Sequence, residues 1–201
     1  MILKTLRYEL ADGIATITFD EQGSPVNTMC LQWQADLTQA AEQVAKDKAS
    51  IKGIILASAK STFFAGADLK GVMRSQASDG PRVFVEIEGI KKAFRTIETL
   101  GVPVVSCLNG TALGGGWEVA LIGHYRIATA NPKTQLGLPE VTLGLIPGAG
   151  GITKMTPLML ALSWRTCSAA WAKSVCHCRH MVLTGEPSSS KVMVAMPSAS
   201  S

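Results

Sequence analysis

Glu118 and Glu140 are the two side chains of this sequence best placed for acid–base chemistry. Both lie in the glycine-rich stretch Asn109–Gly151. Glu118 follows Gly114, Gly115 and Gly116, and Glu140 follows Leu138-Pro139 and precedes Gly148–Gly151. A chain concentrates glycine where its backbone must come close to another group. Backbone N–H groups at a helix start have no intrahelical partner, and the aligned peptide dipoles make that end positive. A helix opening at Gly114–Gly116 therefore offers unpaired donors to a negative oxygen. The turn Ala65-Gly66-Ala67-Asp68 supplies a candidate second donor, the N–H of Ala67. Two such donors aimed at one carbonyl oxygen form an oxyanion hole, and losing one costs on the order of 3–4 kcal/mol in the barrier.

Such a hole stabilises an enolate as well as a tetrahedral adduct, and the neighbouring side chains decide which. The sequence has no G-x-S-x-G elbow, and no Ser or Cys is visibly paired with a His. His124, the only histidine before residue 157, reads as a structural or surface residue at a strand start. Two glutamates remain near the glycines. Paired carboxylates do acid–base work; converging on one water, they raise each other's proton affinity and share their protons. Each feature also has a plain structural reading. A glycine triplet can simply admit a helix, Glu118 can be an ordinary helix N-terminal acid, and Glu140 can be a solvated loop residue. Gly148 and Gly150 give G-x-G, but Thr153 stands where a dinucleotide fingerprint needs a third glycine, so NAD binding is not expected.

The elements that position these residues follow from periodicity. Leu6–Phe19 reads as a hairpin around Asp12-Gly13. Asn27 is a candidate cap for a helix over about Thr28–Lys48, with Met29, Trp33, Leu37, Ala40, Ala41 and Val44 on one face. Ile51–Ala57 and Val102–Leu108 are short apolar runs fit for buried strands. Ser61–Lys70 reads as a strand edge turning into a helix, and Arg74–Pro81 as a polar loop. Arg82–Leu100 reads as a helix burying Val83, Ile87, Ile90, Phe94 and Ile97. A helix begins at the glycine run and ends near Gly123, and His124–Thr129 is a strand. The order β, α, β, α, β predicts an α/β domain with parallel pairing.

Composition bounds the rest. The 201 residues are 47% hydrophobic and 17% charged, which fits a globular domain. Net charge is +4, yet residues 1–156 carry 15 basic and 14 acidic side chains. No basic run marks a nucleic-acid interface. Charges interrupt the N-terminal residues before an export signal forms, and no window of 18 apolar residues spans a membrane. With five cysteines, an odd number, this favours a reducing cytoplasm as the expected compartment.

The motifs NGTALGGGWEVA, AGAD and LGLPEVTLGLIPGAGG together resemble the enoyl-CoA hydratase/isomerase (crotonase) family. HYRIAT followed by NPKT before GLPE is most similar to the hydratase domain of the bacterial fatty-acid-oxidation multifunctional enzyme, alpha-subunit type. The resemblance covers residues 1–156, and three separated motifs in the right order make it specific. It implies a crotonase-like spiral of ββα units. It also implies that Ala67 and Gly115 donate to a thioester oxygen, while Glu118 deprotonates a water and Glu140 protonates the α-carbon. Ala65, Gly66, Asp68 and Gly114 are the implied substrate-binding positions, with the AGAD turn near the adenine end of coenzyme A. Lys70 is a candidate for a phosphate of that ligand or a solvated lysine. Trp117 is a candidate for packing or for acyl-chain contact. The implied ligand is an acyl-CoA thioester, with coenzyme A as part of the substrate and no metal or separate cofactor. A trimer-based homo-oligomer is implied by the family.

The resemblance stops at Thr156. Residues 157–201 hold nine serines, three cysteines and one acid. They read as an aberrant tail, from a shifted frame or a truncated gene, replacing the helices that would close the acyl pocket and make trimer contacts. Loss of those helices would weaken a trimer and expose apolar surface. Cys167, Cys176, His177, Cys178 and His180 lack zinc-site spacing. Leu158–Leu162 is a candidate helix turn, and Pro187–Ser201 is expected to be disordered. Three functions stay in view: hydration of a trans-2-enoyl-CoA in β-oxidation, double-bond isomerisation on the same scaffold, and an impaired fragment that only binds CoA.

Overall fold

The computed structural model describes residues 1–156 and the backbone of residues 191–195. Strands β1 (Leu6–Ala11) and β2 (Ile14–Phe19) form the antiparallel hairpin expected around Asp12-Gly13, with both turn residues at positive φ. Helix α1 (Leu31–Lys46) leads through a short 3-10 turn to β3 (Gly53–Ser58), which pairs parallel with β2. The short α2 (Leu69–Arg74) and the long α3 (Gly80–Glu98) follow, then β4 (Val104–Leu108), parallel to β3. Next come β5 (Ala112–Leu113), α4 (Gly115–Ala120), β6 (Tyr125–Thr129) and β7 (Leu136–Gly137). The main sheet runs β1-β2-β3-β4-β6 and continues to β8 (Lys191–Ala195), while β5 and β7 form a separate parallel pair. This is the α/β architecture the sequence predicts.

The strands β2, β3 and β4 bury Ala15, Ile17, Phe19, Ile54, Leu56, Val104 and Leu108 on one side of the sheet. Helices α1 and α3 pack together, and their buried stripes hold Trp33, Leu37 and Val44 from α1 with Ile90, Phe94 and Ile97 from α3. Phe19, Trp33, Phe63, Phe64 and Phe94 meet at ring-centroid distances of 5.2–6.5 Å, mostly edge to face. Burying one such ring stabilises the fold by about 1.5–3 kcal/mol. The cluster matters for function because Phe63 and Phe64 sit immediately before the Ala65–Asp68 turn. A polar tie accompanies it: buried Asp36 accepts from both the N–H and the hydroxyl of Thr5, at 2.9 and 2.7 Å, joining α1 to the start of β1.

Several boundaries differ from the expectations. Helix α1 starts at Leu31, with Cys30 rather than Asn27 at its N-cap. Asn27 is buried and makes tertiary bonds instead: its amide donates to the Ser58 hydroxyl and the Phe63 carbonyl, and its Oδ1 accepts from Glu21 N–H. A side chain with these three polar partners outweighs a local cap. Helix α3 begins at Gly80, inside the expected polar loop, because Pro81 sits in its first turn, where its missing N–H costs nothing. Of its expected stripe, Val83 and Ile87 are only half-buried.

Disorder expected over Pro187–Ser201 is corrected at Lys191–Ala195, which lies parallel to β6. The run KVMVA has strand propensity, and β6 presents an edge for it to pair with. The remaining expectations for residues 157–201, including Leu158–Leu162, the cysteine–histidine group and the origin of the tail, lie outside the described residues. Among the described residues, no helix is long and apolar enough to cross a membrane.

Candidate active site

Gly110, Gly115 and Gly116 fold the chain tightly against the Ser61–Ala67 segment. A side chain at Gly116 would overlap the Phe64 carbonyl oxygen, and one at Gly110 would stand 2.5 Å from the Ser61 carbonyl oxygen. Gly66, at φ +103°, passes so close to Leu113 that a Cβ would lie 2.7 Å from its carbonyl oxygen and 3.6 Å from the Gly115 nitrogen. Gly114 takes φ +56°, ψ −127°, a conformation L-residues avoid, and its N–H donates to the Gly137 carbonyl at 2.9 Å. The glycines therefore bring the Ala65–Asp68 turn and the start of α4 into contact. The Ala67 nitrogen lies 3.5 Å from the position of a Cβ on Gly115, so the two expected donors are neighbours. Neither N–H donates to a protein acceptor among the described residues.

Glu118 sits in the first turn of α4 and is 3% exposed. Its Oε1 accepts from the Ala149 N–H at 2.8 Å and the Gly151 N–H at 2.7 Å. Burial pushes its carboxyl above the usual carboxylate range; the two N–H donors oppose that shift, and the Glu140 charge adds to it. Glu140 opens a 3-10 turn, Glu140–Leu143, and is half-buried. Its Oε1 stands 3.1 Å from the position of a Cβ on Gly114. Its Oε2 is buried without a hydrogen-bond partner among the described residues. Burial also raises the Glu140 carboxyl, against a bond from its own backbone N–H. The Glu140 charge thus reaches Glu118, and burial favours the protonated form of each carboxyl.

The sequence did not reveal what the second glycine turn does. Beyond the close approach that its glycines predict, the Gly148–Gly151 turn holds Glu118 in its orientation through the Ala149 and Gly151 amides. Gly150, at φ +105°, turns the chain so that both flanking N–H groups reach the same Glu118 oxygen. Other candidates have plainer surroundings. Asp68 caps α2, accepting from the Lys70 N–H at 3.1 Å, and Lys70 is exposed. Ala65 is exposed, with its N–H bonded to the Asn27 carbonyl. Trp117 is 2% exposed, with its indole nitrogen 3.1 Å from the Met155 sulfur, a packing role. His124 is exposed and accepts from the Val104 N–H through Nδ1 at 3.0 Å, a structural bond at the strand start.

The fold is a largely parallel α/β sheet, with two carboxyls of raised pKa near two neighbouring glycine-flanked backbone N–H groups. Residues 9–159 match the enoyl-CoA hydratase/isomerase family, and the chain belongs to that family. Among curated relatives, it is 37% identical over 149 residues to the fatty acid oxidation complex subunit alpha of Shewanella halifaxensis, covering 74% of this chain and 21% of that one. It is 40% identical over 151 residues to the protein of the same name from Acinetobacter baylyi, covering 75% and 20%. The chain thus spans about a fifth of the length of those relatives. Among solved structures, the enoyl-CoA hydratase from Bacillus anthracis superposes with TM-score 0.67 at 30% identity, covering 77% of this chain and 58% of that one. DspI from Pseudomonas aeruginosa superposes with TM-score 0.68 at 28% identity, covering 89% and 62%.

Proposed function

We propose that this chain carries an enoyl-CoA hydratase site that adds water to a trans-2-enoyl-CoA in fatty acid β-oxidation. The observation that carries the reading is the Glu140 carboxyl against Gly114 and buried Glu118 in the helix that Gly114 opens, with the Ala67 and Gly115 amides adjoining. The thioester oxygen accepts from those two amides. Glu118 takes a proton from water as its oxygen bonds to the β-carbon, and the double-bond electrons move onto the thioester oxygen as an enolate. Glu140 then gives a proton to the α-carbon as the enolate collapses to the 3-hydroxyacyl-CoA. One C–O and one C–H bond form, and one water is consumed. A proton passing from Glu118 to Glu140 restores the starting state. This balance needs neither metal nor redox cofactor. Roles of this kind suit a pair that holds one proton between its members.

The Ala65–Asp68 turn, with Gly114, faces the coenzyme A part of the substrate, and a cytoplasmic setting fits this chemistry. Exposed Val141, Leu143 and Ile146 beside Glu140 suit cover by further chain or by another copy in a trimer-based assembly. Isomerisation needs one carboxyl to shuttle a proton between carbons; a second, coupled carboxyl favours hydration. The test is an assay of trans-2-enoyl-CoA against 3-enoyl-CoA. Loss of the enoyl absorbance with the first supports the hydratase. Turnover of the second alone makes the chain an isomerase. Acyl-CoA binding without turnover of either makes it a binding fragment.

A further inference from the structure

Asn27, Thr28 and Met29 run alongside the turn that carries the Ala67 donor. The Ala65 N–H donates to the Asn27 carbonyl at 2.9 Å, and the Met29 N–H donates to the Gly66 carbonyl at 2.9 Å. Met29 and Ala67 form a parallel bridge. The strap is itself anchored, since Glu21 accepts from the Thr28 N–H at 2.8 Å and from its hydroxyl at 2.9 Å. Asn27 is fixed to Ser58 and Phe63 by its side-chain amide. The Met29 side chain then crosses to the other half of the donor pair. Its Sδ and Cε lie 2.6 and 2.9 Å from the position of a Cβ on Gly115, where the Ala67 nitrogen lies 3.5 Å away. One residue thus touches both donor-bearing segments: Gly66-Ala67 through its main chain, and Gly115 through its thioether.

We propose that Met29 is a positioning residue of the oxyanion site, setting the separation of the Ala67 and Gly115 N–H groups. The proposal rests on the reading that those two amides receive a thioester oxygen. An unbranched thioether suits the task, because it fills an irregular gap without a polar atom that would compete for the donors. Removing it leaves space over Gly115, and the donors lose the contact that spaces them. Preorganised donors lose most of their effect when displaced by about 1 Å.

The test compares Met29→Ala and Met29→Leu with the wild type by two readouts: kcat and KM for a trans-2-enoyl-CoA, and the carbonyl stretch of bound butanoyl-CoA, which does not turn over. Met29→Ala is expected to lower kcat by about tenfold or more, a fraction of the loss of a whole donor. KM should stay within about twofold, and the wild-type lowering of the carbonyl frequency should shrink. Met29→Leu, which refills the space, should recover most of both. A Met29→Ala protein that keeps the wild-type carbonyl shift overturns the proposal, whatever its kcat. So does an equal loss in both variants that tracks a fall in thermal midpoint, which marks a folding effect. No carbonyl shift in the wild type removes the oxyanion reading itself, a result separable from failure at Met29.

Discussion

Glu118 accepts the Gly151 N–H at 2.7 Å across 33 residues of sequence, and that bond ties the first glycine turn to the second. The carboxyl is buried and its pKa is raised, chiefly by desolvation. A raised folded-state value means the native state binds the proton more tightly than the unfolded chain. Stability contributed by Glu118 is therefore full at low pH and lost as pH rises through the folded value. Glu118→Gln keeps an oxygen for the Ala149 and Gly151 donors and cannot ionise. Relative to wild type, this variant should gain stability between about pH 4 and about pH 8. Urea midpoints at the two pH values check it; a constant difference counts against a buried, titrating Glu118.

Glu140 contributes to that shift through its charge. Glu140→Gln removes the charge while keeping the shape, so Glu118 should ionise at lower pH than in the wild type. Carbon NMR of labelled glutamate reads the titration directly. An unmoved or higher Glu118 value would mean the two carboxyls do not sense each other.

Gly114 couples backbone strain to the same carboxyl. A methyl group there would meet Glu140 Oε1 at 3.1 Å and force an L-residue to φ +56°. Gly114→Ala should cost about 1–3 kcal/mol of stability. It should also lower hydration by more than this loss of folded protein explains, because Glu140 must move. Chemical denaturation and kcat at full folding check the two parts separately.

Asp36 provides the contrast, a buried carboxylate remote from the chemistry. Asp36→Ala orphans the Thr5 N–H and hydroxyl and should cost about 1–3 kcal/mol or slightly more. Under folding conditions kcat/KM should stay at the wild-type level. A selective loss of kcat would show that α1 is coupled to the site more tightly than its contacts indicate.

Much of this was legible in the residues. Alternation and apolar runs placed the β1–β2 hairpin, β3, β4 and β6, because a half-buried or buried strand must write its burial into its side chains. The Gly114–Gly116 triplet and the Ala65–Asp68 turn were readable because only glycine tolerates the contacts found at Gly66 and Gly116. Asn27 misled because its side chain has tertiary partners that no local pattern encodes. The Ala149 and Gly151 grip on Glu118 was hidden for the same reason: backbone donors carry no side-chain signature. Met29 read as one more position on a helical stripe, yet it lies before α1 and against Gly115.

The central claim is that Glu118 and Glu140 act as one proton-handling pair over a single thioester. The most direct measurement is the hydration rate of a trans-2-enoyl-CoA by Glu118→Gln and Glu140→Gln, with folding verified for each. Both substitutions should nearly abolish turnover while leaving acyl-CoA binding in place. Wild-type turnover in either variant would contradict the account.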